Sequence, residues 1–191
     1  MNQAIIIHGT PSKEEYFSSE LPSASNSHWL PWLQKQLLIR NIAAYTPEIP
    51  ESYQPKYSLW NQQLERYRLD RDTALIGHSC GAGFLLRWLS ENTDICIDKL
   101  VLAAPWMDPK QRKTTDFFQF KLDSDLIDRT SGVHVLYSTD DDQEILDSTA
   151  AICSQLPAAV IHQFENKGHF TETDLNSKQF PELLTLLTED N

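Results

Sequence analysis

Short apolar runs rich in β-branched residues recur along the chain, at residues 4–8, 42–45, 73–76, 99–103, 133–137 and 159–164. Most are continuous rather than alternating, the pattern of strands buried on both faces of a parallel sheet. Between them the apolar spacing turns helical. Trp29, Trp32, Leu33 and Leu37 form one stripe, and Phe84, Leu85, Trp88 and Leu89 form another just after Gly83. Leu59, Leu64, Tyr67 and Leu69 suggest a third helix, Ile145, Ala150, Ile152 and Leu156 a fourth, and residues 180–187 a fifth. Strands alternating with such helices predict an α/β fold: a doubly wound, mostly parallel sheet of about six strands. Right-handed crossovers would put helices on both faces, and ligands would bind at the carboxyl ends of the strands.

Two stretches break the alternation. Residues 10–26 are polar and Ser-rich, with Pro11 and Pro22, and are long for a strand-to-helix connection. Residues 105–129 carry Pro105 and Pro109, the basic run Lys110-Gln111-Arg112-Lys113 and the aromatic group Phe117, Phe118 and Phe120. This second stretch reads either as a small lid after the fourth strand or as an ordinary crossover helix with its Phe residues on the sheet.

Composition narrows the class. The 191 residues suit a single domain, and 40% hydrophobic with 23% charged residues is ordinary globular usage. The formal charge of −11 repels phosphate backbones and anionic membranes, which argues against nucleic acid or a membrane surface as partner. Cys80, Cys96 and Cys153 are odd in number and fit neither a disulfide framework nor a zinc pattern. With no signal-like N-terminal segment and no long apolar span, a cytoplasmic protein is expected.

The chemistry concentrates where the third strand meets the following helix. Gly77-His78-Ser79-Cys80-Gly81 is G-x-S-x-G in a strand-turn-helix context, a turn that lifts a serine hydroxyl clear of the sheet. Small neighbours are needed there because the backbone is strained. Ser79 is thus the candidate nucleophile, and the N–H of Cys80 at the helix start is a candidate oxyanion donor. A second donor should come from the loop after the first strand, His8-Gly9-Thr10, where the N–H of Thr10 is the choice and His8 holds the loop. A serine needs a base oriented by an acid, in chain order Ser, Asp or Glu, His. His169, in Phe164-Glu165-Asn166-Lys167-Gly168-His169-Phe170 after the last strand, is the candidate base. The acid lies among Asp140, Asp141 and Asp142 after the fifth strand. Only Asp142 has an aliphatic residue, Ile145, three positions on, and it is the acid chosen, with Asp141 the alternative.

With these motifs placed, the chain resembles the small α/β-hydrolases of the retinoblastoma-binding protein 9 and bacterial YdeN family. The resemblance rests on His8-Gly9, Ser27-His28-Trp29-Leu30-Pro31-Trp32-Leu33, Pro47-Glu48-Ile49-Pro50, Trp60, Gly77-His78-Ser79, the Asp-rich turn and Gly168-His169-Phe170. It implies a compact hydrolase with a minimal cap that cleaves esters or amides through Ser79, Asp142 and His169. The family's acid, aligned without a gap from the fifth strand, falls on Asp142. Two departures border the site: the 10–26 loop looks longer than the family's, and Gln143 stands where a proline often follows the acid. The expected substrate is a small acyl ester, thioester or amide, with neither metal nor organic cofactor. Trp106 and Phe170 are candidates to line an acyl pocket. The competing expectation is a protein-interaction module that keeps the fold without catalysis.

Overall fold

The computed structural model describes residues 1–111, 114 and 116–189. Its six strands are β1 (Gln3–Ile7), β2 (Ala43–Tyr45), β3 (Thr73–His78), β4 (Lys99–Ala103), β5 (Gly132–Ser138) and β6 (Val160–Phe164). They form one sheet in the order β2-β1-β3-β4-β5-β6, with every pairing parallel. The apolar runs of β1, β3, β4 and β5 are largely buried in the middle of this sheet, whereas β2 and β6 are its edges, and Val160 and Ile161 of β6 are exposed rather than covered on both faces. Ile5, Ile6 and Ile7 of β1 and Ala74, Leu75 and Ile76 of β3 are fully buried. The seven helices are α1 (Lys13–Phe17), α2 (Leu30–Ile39), α3 (Tyr57–Leu64), α4 (Cys80–Glu91), α5 (Gln143–Gln155), α6 (Glu172–Leu175) and α7 (Pro181–Thr188) among the described residues. α2 packs on β1, β2 and α7, while α4 packs on β3, β4 and α3.

The strand order reverses between β1 and β3, because the chain leaves β1 for the β2 side and returns to β3 on the other. Such a switch opens a crevice at the strand carboxyl ends. The Ile7↔Gly77 register brings the ends of β1 and β3 level, so His8-Gly9-Thr10 and Ser79 leave the sheet side by side.

The two irregular stretches resolve differently from expectation. Within residues 10–26, Ser12 accepts from the N–H of Glu15 while the Glu15 carboxylate accepts from the N–H of Ser12, a reciprocal cap that starts α1. A 3₁₀ turn, Ala24–Asn26, follows. Residues 105–129 give neither a lid over the crevice nor an α-helix among the described residues. Phe117 is fully buried against Tyr57, Trp60 and Phe84, and Arg87 donates to the carbonyls of Asp116 and Phe117, so the segment is fastened to α3 and α4. It ends in the 3₁₀ helix Ser124–Arg129, whose Arg129 guanidinium bonds the carbonyls of Leu89, Asn92 and Ile95. Of the basic run, Arg112 and Lys113 lie outside the described residues, as does Thr115.

Gly77 is the tightest point of the β3–α4 junction. A Cβ there would sit 2.4 Å from Ala82 Cα and 2.5 Å from its nitrogen, backbone atoms that cannot swing away. Gly77→Ala is expected to destabilise the fold by about 3 kcal/mol or more, read as a fall in the urea midpoint.

Buried imidazoles set the acid limit of stability. Burial lowers His8 and His78, and at His134 burial together with neighbouring His162 pushes the pKa down from 6.5 to about 4. Each is neutral when folded and takes up a proton in the unfolded chain, so the stabilisation they give is present above about pH 6.5 and lost on acidification. The melting temperature is expected to fall between about pH 6.5 and about pH 4, and less steeply in His134→Gln.

Candidate active site

Ser79 stands between β3 and α4 with φ 55 and ψ −120, left-handed backbone that a non-glycine residue adopts only under constraint. Such a position costs about 1–3 kcal/mol and persists where the surroundings fix it. Here the Ser79 N–H donates to the Ala103 carbonyl at 2.9 Å, and the Ser79 carbonyl accepts from Ala82 at 3.0 Å and Trp106 at 3.2 Å. Close approach of the β1 loop completes the turn. A Cβ on Gly9 would lie 3.1 Å from Ser79 Cβ, and one on Gly81 would lie 2.5 Å from the carbonyl oxygens of Ile7 and His8. Thr10 therefore follows directly beside the serine, and Cys80 opens the first turn of α4.

His8 braces this loop. Its Nδ1–H donates to the Gly9 carbonyl at 2.7 Å, and its Nε2 accepts the Ile49 N–H at 3.0 Å, which fixes a neutral tautomer. Both ring nitrogens are thereby engaged in holding the loop.

His169 lies between β6 and α6, flanked by left-handed Gly168 (φ 43) and Phe170 (φ 56). Its backbone is clamped from two sides: its N–H donates to Asp174 Oδ2 at 3.0 Å, and its carbonyl accepts Nε2–H of His78 at 2.8 Å. The His78 and His169 rings lie 5.0 Å apart. His169 Nδ1 meets Asp141 Oδ2 at 2.9 Å, and the Asp141 side chain is 2% exposed.

The three adjacent aspartates have three different surroundings. Asp140 is exposed and accepts from the Ser138 hydroxyl and the Gly168 N–H, contacts that hold its carboxyl below the usual range. Asp141 turns inward to His169. Asp142, expected to be the acid, is instead the exposed N-cap of α5, its carbonyl accepting from Ile145 and Leu146. The reason for this correction is geometric. The 138–141 turn, closed by Asp141 N–H on the Ser138 carbonyl, aims residue 141 back over the sheet end, and the chain then enters α5. An aliphatic residue three positions after Asp142 marks the first buried residue of a helix and so identifies its cap.

Ser79 and His169 line one open cleft of about 1060 Å³. Its walls come from the β1 loop, the 15–28 stretch and residues 169–178, with none of the described residues of 105–129. Among the described residues the Ser79 hydroxyl makes no hydrogen bond, a contact that tightens when substrate enters such sites. Trp106 and Phe170, expected in an acyl pocket, are core residues. Trp106 donates its indole N–H to Glu144, and Phe170 is fully buried against Phe164 and Phe180. Asp174 and His78, which clamp His169, stand outside the residues that the sequence motifs single out for the chemistry. The pattern Thr171-x-x-Asp174 is a capping-box signal that could have pointed to Asp174. Among the described residues no group of three or more His, Cys, Asp or Glu is placed to hold a metal ion, and no helix is long and apolar enough to cross a membrane.

A parallel six-stranded sheet whose third strand ends in a strained serine, with a histidine after the last strand facing the same cleft, is the α/β-hydrolase architecture. The chain belongs to the serine hydrolase family, whose model matches residues 21–189. It is similar to YdeN of Bacillus subtilis (strain 168), a protein named as a hydrolase: 26% identical over 169 residues, which is 85% of this chain and 88% of the relative. The crystal structure of the ydeN gene product superposes with a TM-score of 0.81 at 25% identity, covering 98% of this chain and 97% of that one. Est1E of Butyrivibrio proteoclasticus, solved with ferulic acid bound, shares the fold with a TM-score of 0.64 at 13% identity over 99% of this chain and 90% of its own.

Proposed function

We propose that this protein is a carboxylesterase-like serine hydrolase, acting on a small acyl ester through Ser79, His169 and Asp141. The observation that carries this reading is the buried Asp141 carboxylate 2.9 Å from His169 Nδ1, in a cleft wall that His169 shares with Ser79. A carboxylate on Nδ1 keeps the proton there and leaves Nε2 as the basic nitrogen. Ser79 Oγ attacks the acyl carbonyl while His169 Nε2 takes its proton. The N–H groups of Cys80 and Thr10 hold the oxyanion, supported by their placement on either side of the serine. Collapse expels the alcohol, which receives the proton from His169, and water then releases the acid by the same steps. An amide or thioester would follow the same course.

The small size of the acyl group is supported by the open cleft, which none of the described residues of 105–129 lines, and by Trp106 and Phe170 being packed into the core rather than along it. A small-molecule substrate rather than nucleic acid fits the charge of −11, and a cytoplasmic setting fits three cysteines without a disulfide pattern. A p-nitrophenyl ester series tests the reading. Acetate and butyrate are expected to exceed palmitate in kcat/KM by roughly tenfold or more. Preference for palmitate would overturn the small-acyl assignment, and no turnover of any ester would overturn the esterase reading.

A further inference from the structure

His28 lies in the wall of the same cleft, at the end of the polar loop and just before α2. It too has left-handed backbone, φ 56, a strain that clusters at ligand-binding positions. Its Nδ1 accepts the N–H of Glu172 at 3.1 Å, a contact between residues 144 positions apart. A nitrogen that accepts a hydrogen bond carries no proton, so the neutral ring holds its proton on Nε2. Neutrality is favoured by partial burial and by nearby His169, which outweigh the opposing carboxylates of Glu172, Glu15 and Asp174. Among the described residues nothing accepts that Nε2–H, and the atom is not occluded from solvent. The ring is thus a fixed donor, oriented by the protein at one edge and open at the other.

Its place in the cleft says which part of a substrate it meets. His28 and His169 both touch the ring of His78, at centroid distances of 5.9 Å and 5.0 Å, and Glu172 follows His169 by three residues. His169 must hand its proton to the departing oxygen, so a neighbour on that wall faces the leaving group. Two held carboxylates stand in the same cleft: Glu15 in its reciprocal cap with Ser12, and Glu48 accepting from the Ser25 N–H at 2.9 Å. A donor and two acceptors, all fixed, suit an alcohol with several hydroxyls.

Resting on the esterase reading, we propose that His28, with Glu15 and Glu48, forms a leaving-group subsite for a polyhydroxy alcohol, so that the natural substrate is a small-acyl ester of a sugar- or glycerol-like polyol. The test compares glycerol monoacetate with ethyl acetate, which share an acyl group. The wild type is expected to favour the glycerol ester by about tenfold or more in kcat/KM, and His28→Phe to lower that ratio about tenfold. His28→Gln, whose amide reaches the same place, is expected to restore part of it. His28→Asn tolerates the left-handed backbone but stops short of the substrate, so it should behave as His28→Phe does and serves if the Phe variant does not fold. An unchanged ratio, equal loss on both esters, or a wild type indifferent to the alcohol would overturn the subsite. Indifference with both esters turned over leaves the esterase standing, whereas no turnover of either ester and no fluorophosphonate adduct would remove both.

Discussion

Ser79→Ala is expected to lower kcat on p-nitrophenyl acetate by about a millionfold, the scale seen when a serine nucleophile is removed from an intact triad. The size follows from the chemistry: without Oγ there is no acyl-enzyme, and what remains is binding and whatever the Thr10 and Cys80 amides do for a water attack. The fold should hardly respond. Alanine is the same size less one oxygen, it takes φ 55 at a similar cost to serine, and the backbone bonds to Ala103, Ala82 and Trp106 do not involve the side chain. Unchanged thermal stability alongside lost turnover is therefore the expected pair of results.

Asp141→Asn is expected to cost roughly ten-thousandfold in kcat, and Asp142→Asn less than about threefold. An asparagine at 141 can turn its amide N–H toward His169 Nδ1. The imidazole must then carry its proton on Nε2, where it cannot accept one from Ser79. At 142 the change is mild, because asparagine caps a helix as well as aspartate does and the Asp142 side chain makes no capping bond of its own. Comparing the two variants on one ester separates a carboxylate that touches the base from one that only starts α5. Loss confined to Asp142→Asn would reverse the assignment.

The difficulty of choosing between these residues from sequence has a physical origin. Strands such as β1 and β3 are legible because continuous apolar runs admit few other environments, and Ser79 and His169 are legible because their positions follow from strand ends. Asp140, Asp141 and Asp142 all follow the same strand end. What separates them is rotation about a turn closed by the Ser138 carbonyl, and rotation leaves no compositional trace. The Phe117 cluster was ambiguous for a related reason: its partners Tyr57, Trp60 and Phe84 are distant in sequence. The short helices α1 and α6 bury no residue and so show no apolar stripe, although their capping pairs, Ser12 with Glu15 and Thr171 with Asp174, are written in the sequence. His28 is the extreme case, since its proton position depends on Glu172 at the other end of the chain.

Ser79 as a nucleophile activated by His169 is tested most directly by intact-mass analysis after exposure to a fluorophosphonate, with peptide mapping of the adduct. One adduct per chain on Ser79, absent from Ser79→Ala and slowed in Asp141→Asn, is the predicted result. A folded wild-type protein that takes no adduct, or an adduct that persists in Ser79→Ala, would contradict it.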